Sequence, residues 1–171
     1  MVYGYYDKRL KCYLKRCRIA STAVITNKRN LELEDNVWIN HYVRIDAAGG
    51  VRIGEGCQIG YGSCVLSHST HNSIRLMGYH FMDYDAENRL GYIAKKTTIG
   101  RYTFVGGGSF IMPGVTIGKG CVIGVNSVVT KDIPDYSIAF GSPARIIGST
   151  KDADLSYLDN PLAKKYYYDL E

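Results

Sequence analysis

An aliphatic residue returns at every sixth position along most of this chain. One phase starts at Leu33, Ile39 and Ile45, slips by two residues, and resumes at Ile53, Ile59 and Val65. After a gap of 28 residues it continues through Ile99, Val105, Ile111, Ile117, Ile123 and Val129. The second place of these hexads is glycine at Gly54, Gly60, Gly100, Gly106, Gly118 and Gly124. The fifth is mostly small or β-branched, as at Val37, Val43, Cys57, Ser63, Ser69, Thr103, Ser109, Cys121 and Ser127. A fixed period means stacked units that share one core. A branched aliphatic every six residues fills the interior of a prism with one flat strand per face, and the glycines and small residues permit tight corners. A β-sandwich would instead show an apolar period of two, with turns about every 8 to 12 residues. The pattern predicts an all-β parallel β-helix with three hexads to a coil. Twelve hexads give about four coils, and a less regular one precedes them around Ile19 to Asn30.

Both ends depart from the repeat. Tyr3, Tyr6, Leu10, Tyr13, Leu14 and Cys17 fall at helical spacing, which predicts an amphipathic basic helix over residues 3 to 18. Asn160 followed by Pro161 reads as an N-cap and first-turn pair, with Leu162, Tyr166 and Leu170 on one helical face. The organisation expected is an N-terminal segment 1–18, a β-helix 19–148 and a tail 149–171 with a short helix. Residues 71 to 98 break the repeat and carry Arg75, Tyr79, His80, Phe81, Asp83, Tyr84, Asp85 and Tyr92. A loop of that length in a compact domain is often functional, and this one is expected to protrude over a neighbouring site.

Charge and cysteines narrow the classes. The net charge is +5. The first eighteen residues supply all of it, through Lys8, Arg9, Lys11, Lys15, Arg16 and Arg18 against Asp7. A neutral body with a basic arm argues against a nucleic-acid partner, and leaves residues 1–18 as the candidate for weak peripheral contact with an anionic membrane. No run of apolar residues is long enough to span a bilayer, and no leader pattern is present, so a cytoplasmic protein is expected. The five cysteines have no CxxC spacing, so neither a metal site nor a disulfide framework is predicted.

The segments IGEGCQIGYGSC and IGRYTFVGGGSFIMPGVTIGKGCVIGVNSVVTKDIPDYSIAFGSPARIIG resemble the acetyl-CoA-dependent hexapeptide-repeat O-acetyltransferases of the galactoside, maltose and capsule or lipopolysaccharide sugar type. The resemblance covers roughly residues 33 to 148 and is most specific at PGVTIG, SVVTKDIP and GSPARIIG. It implies left-handed winding, a homotrimer with sites between subunits, and acetyl-CoA as acyl donor. It also implies direct transfer of the acetyl group to a sugar hydroxyl with a histidine as general base, a role suited to an imidazole at neutral pH. Gap-free counting places the family's histidine on Thr70, one residue from His71. This favours His71 as the base over His68, with the other orienting it or the acceptor. By the same resemblance, coenzyme A contacts fall on Gly107, Val125, Thr130, Lys131 and Arg145, with Ser142 and Pro143 at the adenine end. Lys131 and Arg145 suit phosphates. Asn40 matches a sugar-contacting asparagine, whereas a carboxylate of some relatives falls on Ala48, leaving Asp46 as its substitute; Asp83 and Tyr84 add acceptor contacts. Exposed amides of Gly106, Gly107 and Gly108 are candidates to stabilise an oxyanion. The alternatives are an N-acyltransferase for an amino-sugar nucleotide, a structural β-helix, and a zinc carbonic anhydrase needing a third clustered histidine.

Overall fold

A computed structural model describes residues 1–8 and 10–168. An antiparallel hairpin of β1 (Val2–Asp7) and β2 (Cys12–Ile19) leads to β3 (Val24–Thr26) and β4 (Leu31–Leu33). The next circuit holds β5 (Trp38–Ile39), β6 (Arg44–Asp46) and β7 (Val51–Ile53). Then come β8 (Gln58–Ile59) and β9 (Cys64–Leu66), an excursion with β10 (His68–Ser69), α1 (His71–Met77) and β11 (Ile93–Ala94), and the closing strand β12 (Thr97–Ile99). A further circuit consists of β13 (Phe104–Val105), β14 (Phe110–Ile111) and β15 (Thr116–Ile117), followed by β16 (Val122–Ile123) and β17 (Val128–Val129). The chain ends with the hairpin β18 (Ser137–Gly141) and β19 (Ala144–Ser149), then α2 (Thr150–Asp154) and α3 (Pro161–Tyr166).

Successive strands visit three sheets in rotation, which makes the body a β-helix. The first face is ordered β1-β2-β5-β8-β13-β16-β18-β19, the second β17-β14-β9-β6-β3 and the third β15-β12-β7-β4. Pairing within the body is parallel and in hexad register: Ile39 lies beside Ile59, Ile59 beside Val105, and Val105 beside Ile123. The aliphatic first positions therefore form columns inside the prism, and all twelve are at most 2% exposed. Each contributes roughly 1.5–3 kcal/mol of apolar burial.

The corners divide two tasks between two hexad positions. The second-position glycines allow coils to approach: a Cβ on Gly60 would lie 2.5 Å from the Gly107 nitrogen of the next coil. The fourth position takes the left-handed backbone, as glycine at Gly62 (φ +67°) and as Asn36, Tyr42, Tyr102 or Asn126 elsewhere. Fifth-position hydroxyls tie coils together: Ser63 donates to Gly106 O at 3.0 Å and Ser109 to Gly124 O at 2.9 Å.

The N-terminal helix expected over residues 3 to 18 is absent. The segment is instead the β1–β2 hairpin, and β2 joins the first face through Arg18 beside Trp38 and Ile19 beside Ile39. A helix would have left the amides of that face's first strand unpaired, whereas the hairpin continues the ladder, with Arg18 N donating to Val37 O at 2.8 Å. Leu14, Cys17 and Tyr5 pack on the core and close its end. Gly4, at φ +79°, sits at a register shift where a Cβ would overlap the Tyr13 ring. At the other end, α3 begins as expected, with the Asn160 side chain accepting from Leu162 N at 2.9 Å. Leu170, placed on its apolar face, and Arg9 lie outside the described residues.

Candidate functional site

The excursion is built on a short ladder. β10 and β11 pair antiparallel, His68 beside Ala94 and Ser69 beside Ile93, so the chain leaves and re-enters the prism at one point. That point is the corner between the second and third faces, and β6 ends there one coil earlier at Asp46. The corner thus brings Asp46 and His68 together, with His68 Nδ1 lying 3.1 Å from Asp46 Oδ2. The carboxylate is buried, and its other oxygen accepts from Ala48 N at 3.1 Å and from the Asn27 amide at 3.5 Å. His68 Nδ1 is enclosed and has no aligned hydrogen bond, so the contact is a close approach to a fixed carboxylate. The Tyr92 ring, 5.9 Å away, flanks the imidazole. Ser67 locks the backbone beneath, donating to Asp46 O at 2.7 Å and accepting from Gly49 N at 2.9 Å.

His71 stands on the first turn of α1, exposed, its Nδ1 2.7 Å from Ser69 Oγ. The Arg75 guanidinium holds that turn by donating to His71 O and to Asn72 Oδ1, both at 2.7 Å. The two histidines therefore share a corner, but only His68 has a carboxylate behind it. His41 is 2.9 Å from Thr22 Oγ1, and His80 pairs with Asp83 at 2.9 Å. Among the described residues no group of three metal-ligating side chains gathers.

The expected acceptor residues are scattered. Asn40 lies at the corner where the first face passes to the second, its amide donating to Ile59 O at 3.2 Å. Asp83 and Tyr84 are on the outer part of the excursion, where Asp83 is engaged by His80. Arg89, which no motif or spacing marks in the sequence, ties that part together. Its Nε donates to Phe81 O and Tyr84 O at 3.0 Å, and its guanidinium lies over the Phe81 ring.

The expected coenzyme residues cluster on the last coils. Gly107 and Val125 stack on the first-to-second corner, and the Ser142–Pro143 turn, a cis peptide, follows the end of β18. Thr130 and Lys131 follow β17. Lys131 and Arg145 line one surface depression of about 260 Å³ with Asp132, Ile133, Ala144 and Ile146. Two separate cations on one concavity suit a polyphosphate. The triglycine run is less available than expected, since Gly106 N donates to Ile123 O and Gly108 N to Tyr61 O, both at 2.8 Å. Both amides belong to the inter-coil ladder, which leaves Gly107 N as the one candidate donor of the three.

A family profile described as bacterial transferase hexapeptide (six repeats) matches residues 96–131. A galactoside O-acetyltransferase of Lactococcus lactis subsp. lactis (strain IL1403) is 40% identical over 81 residues, 47% of this chain and 39% of the relative. A chloramphenicol acetyltransferase of Agrobacterium fabrum (strain C58 / ATCC 33970) is 36% identical over 117 residues, 64% of this chain and 56% of the relative. The match thus spans 39% to 56% of the length of these two curated relatives. Among solved structures, a hexapeptide-repeat acetyltransferase of Vibrio cholerae O1 biovar eltor, complexed with acetyl coenzyme A, superposes with a TM-score of 0.66. It is 27% identical, over 80% of this chain and 69% of that one. The chain carries the transferase hexapeptide repeat and resembles the hexapeptide-repeat acetyltransferases.

Proposed function

We propose that this protein transfers an acetyl group from acetyl-CoA to a hydroxyl of a sugar or surface-polysaccharide precursor, with His68 as the general base and Asp46 as its positioning residue. The observation that carries this is the 3.1 Å approach of the buried Asp46 carboxylate to His68 Nδ1. It revises the preference for His71 drawn from spacing. The family's carboxylate and histidine fall by count on Ala48 and Thr70, and Asp46 and His68 each lie two residues before those positions.

With Nδ1 turned toward Asp46, Nε2 is the ring nitrogen left for the acceptor. The coenzyme supplies the activated acyl group as a thioester. His68 takes the hydroxyl proton as the acceptor oxygen bonds to the acyl carbon, and returns it to the departing sulfur as the C–S bond breaks. Asp46 stabilises the imidazolium formed between these events, and Gly107 N of a neighbouring chain donates to the developing oxyanion. Lys131 and Arg145 hold the coenzyme phosphates. In this reading the winding is left-handed and three chains assemble around shared sites. The relatives are named for different acceptors, a galactoside and chloramphenicol, so neither acceptor carries over.

Thiol release from acetyl-CoA over a panel of glycan and sugar-nucleotide acceptors tests the reading. His68→Ala is expected to lose about 10²–10⁴-fold in kcat. His71→Ala is expected to retain activity within about tenfold, because it lacks the carboxylate partner. Full activity in His68→Ala with loss in His71→Ala would reverse the assignment; no thiol release from wild type with any acceptor would overturn the function.

A further inference from the structure

A second concavity lies at the opposite end of the prism from Lys131 and Arg145. The hairpin tip and the turn after β3 enclose a pocket of about 480 Å³, lined by Tyr5, Tyr6, Asp7, Lys8, Lys28 and Arg29. Among the described residues, three cations and one carboxylate line it. Asp7 is itself buried and accepts from Leu10 N at 3.2 Å, closing the hairpin tip. Among the described residues Lys8, Lys28 and Arg29 form no ion pair with a carboxylate of the chain. The lining therefore carries an excess of about two positive charges, walled by tyrosine rings, in a concavity large enough for a diphosphate. On the third face, by contrast, Arg52 and Arg101 are each paired with the Glu34 carboxylate.

The position of this pocket ties it to the acceptor end. Lys28 and Arg29 directly follow Asn27, whose amide reaches Asp46 at 3.5 Å, and Asp46 holds His68 at 3.1 Å. Asn30, the next residue of the same turn, donates to Ala48 O at 3.2 Å. The cationic turn and the proposed base thus belong to one corner, two coil rises apart, or about 10 Å at the usual strand spacing. That is the reach between a sugar hydroxyl and a diphosphate on the same molecule. The coenzyme cations lie several coils away, so the two basic concavities serve different groups.

We infer that the pocket of Lys8, Lys28 and Arg29 binds the phosphate of the acceptor, so that the substrate class is a phosphorylated or diphosphate-linked sugar. This rests on the proposed acetyl transfer at His68. Phosphate chemistry could be offered by such a sugar or by a lipid headgroup at a membrane, and the test separates them.

Calorimetric titration with inorganic pyrophosphate is run on wild type, on Lys28→Ala/Arg29→Ala and on Lys131→Ala/Arg145→Ala. Co-sedimentation with phosphatidylglycerol vesicles runs in parallel, and circular dichroism checks the fold. Losing two charge-assisted contacts is expected to weaken pyrophosphate at this end about tenfold or more, while the Lys131/Arg145 variant keeps the binding. Thiol release by wild type is then expected with a sugar diphosphate at a KM raised by the same factor in Lys28→Ala/Arg29→Ala, and kcat held. Unchanged pyrophosphate affinity in that variant would overturn the inference, as would vesicle binding that Lys28→Ala/Arg29→Ala abolishes without any pyrophosphate site. Failure of the acetyl-transfer reading shows differently, as pyrophosphate binding with no thiol release from any acceptor.

Discussion

Gly60 and Gly62 are two residues apart in one hexad, yet the chain needs glycine at each for a different reason. At Gly60 the backbone angle is ordinary and the space is missing: an added Cβ meets the Gly107 nitrogen at 2.5 Å and Val105 O at 2.6 Å, both backbone. Nothing there can yield without separating two coils. At Gly62 the space is open but φ is +67°. Gly60→Ala is therefore expected to cost about 1–3 kcal/mol through overpacking, and Gly62→Ala about 1–2 kcal/mol through left-handed strain. Gly62→Asn should restore most of the latter, since asparagine tolerates that region and already occupies it at Asn36 and Asn126. Urea unfolding monitored by circular dichroism reads all three; equal midpoints for Gly60→Ala and wild type would refute the close-approach argument. The sequence marks Gly60 by its recurrence, but where the fourth position is left-handed it is filled by glycine, asparagine or tyrosine. What permits tyrosine there is tertiary, as where the Tyr102 ring covers Gly56 and lies 4.6 Å from Tyr168.

At the scale of elements, the three faces have different chemistry. The third face bears a charge ladder in which Glu34 accepts from Arg52 at 2.8 Å and Arg101 at 2.9 Å, and from Glu55 N at 3.1 Å. Partial burial pushes the Glu34 carboxyl up, but the two arginine bonds and the amide outweigh this and hold it below the ordinary 4.5. A carboxylate depressed in the folded state contributes stability that is present above its unfolded value and is lost as pH falls through the folded one. Glu34→Gln is expected to be less stable than wild type at pH 7, with the two curves converging as the pH drops below the ordinary carboxylate range. A gap that persisted at low pH would mean Glu34 acts through packing. The body strands were legible because each hexad puts its aliphatic inside irrespective of distant contacts. The N-terminal hairpin was not, because its tyrosines and cations satisfy a helical wheel equally well. What selects a strand there is the open ladder at Val37 and Ile39, which no local pattern records. Spacing favoured His71 for a related reason: the approach of His68 to Asp46 depends on the β10–β11 pair across the excursion and on a carboxylate a coil away, which no local count records.

At the scale of the whole molecule, one chain divides the proposed chemistry between two corners. His68 and Asp46 occupy the corner between the second and third faces, whereas Gly107 and Val125 occupy the corner between the first and second. One hexad of extended chain separates such corners, about 15–20 Å. A thioester held beside Gly107 and Val125 is that far from His68 of the same chain, although Thr130 and Lys131 follow the second face farther along the stack, and it can meet the base of a chain packed alongside. The surface is suited to such packing: Phe104 and Phe110 project outward from the first and second faces, and Leu76, Tyr79, Met82 and Leu90 lie exposed on the excursion. Sedimentation at micromolar concentration is expected to give three times the 19.0 kDa chain mass. The sharper test is complementation. His68→Ala lacks the base, and Val125→Asp, at a position 54% exposed, blocks the coenzyme corner without touching the core. Each alone is expected to be inactive. Co-expressed and purified as mixed trimers, they should regain part of the wild-type thiol release, because some interfaces pair an intact His68 with an intact Val125 of the neighbour. Mixed trimers that stayed inactive would place base and coenzyme within one chain and rule out a shared site.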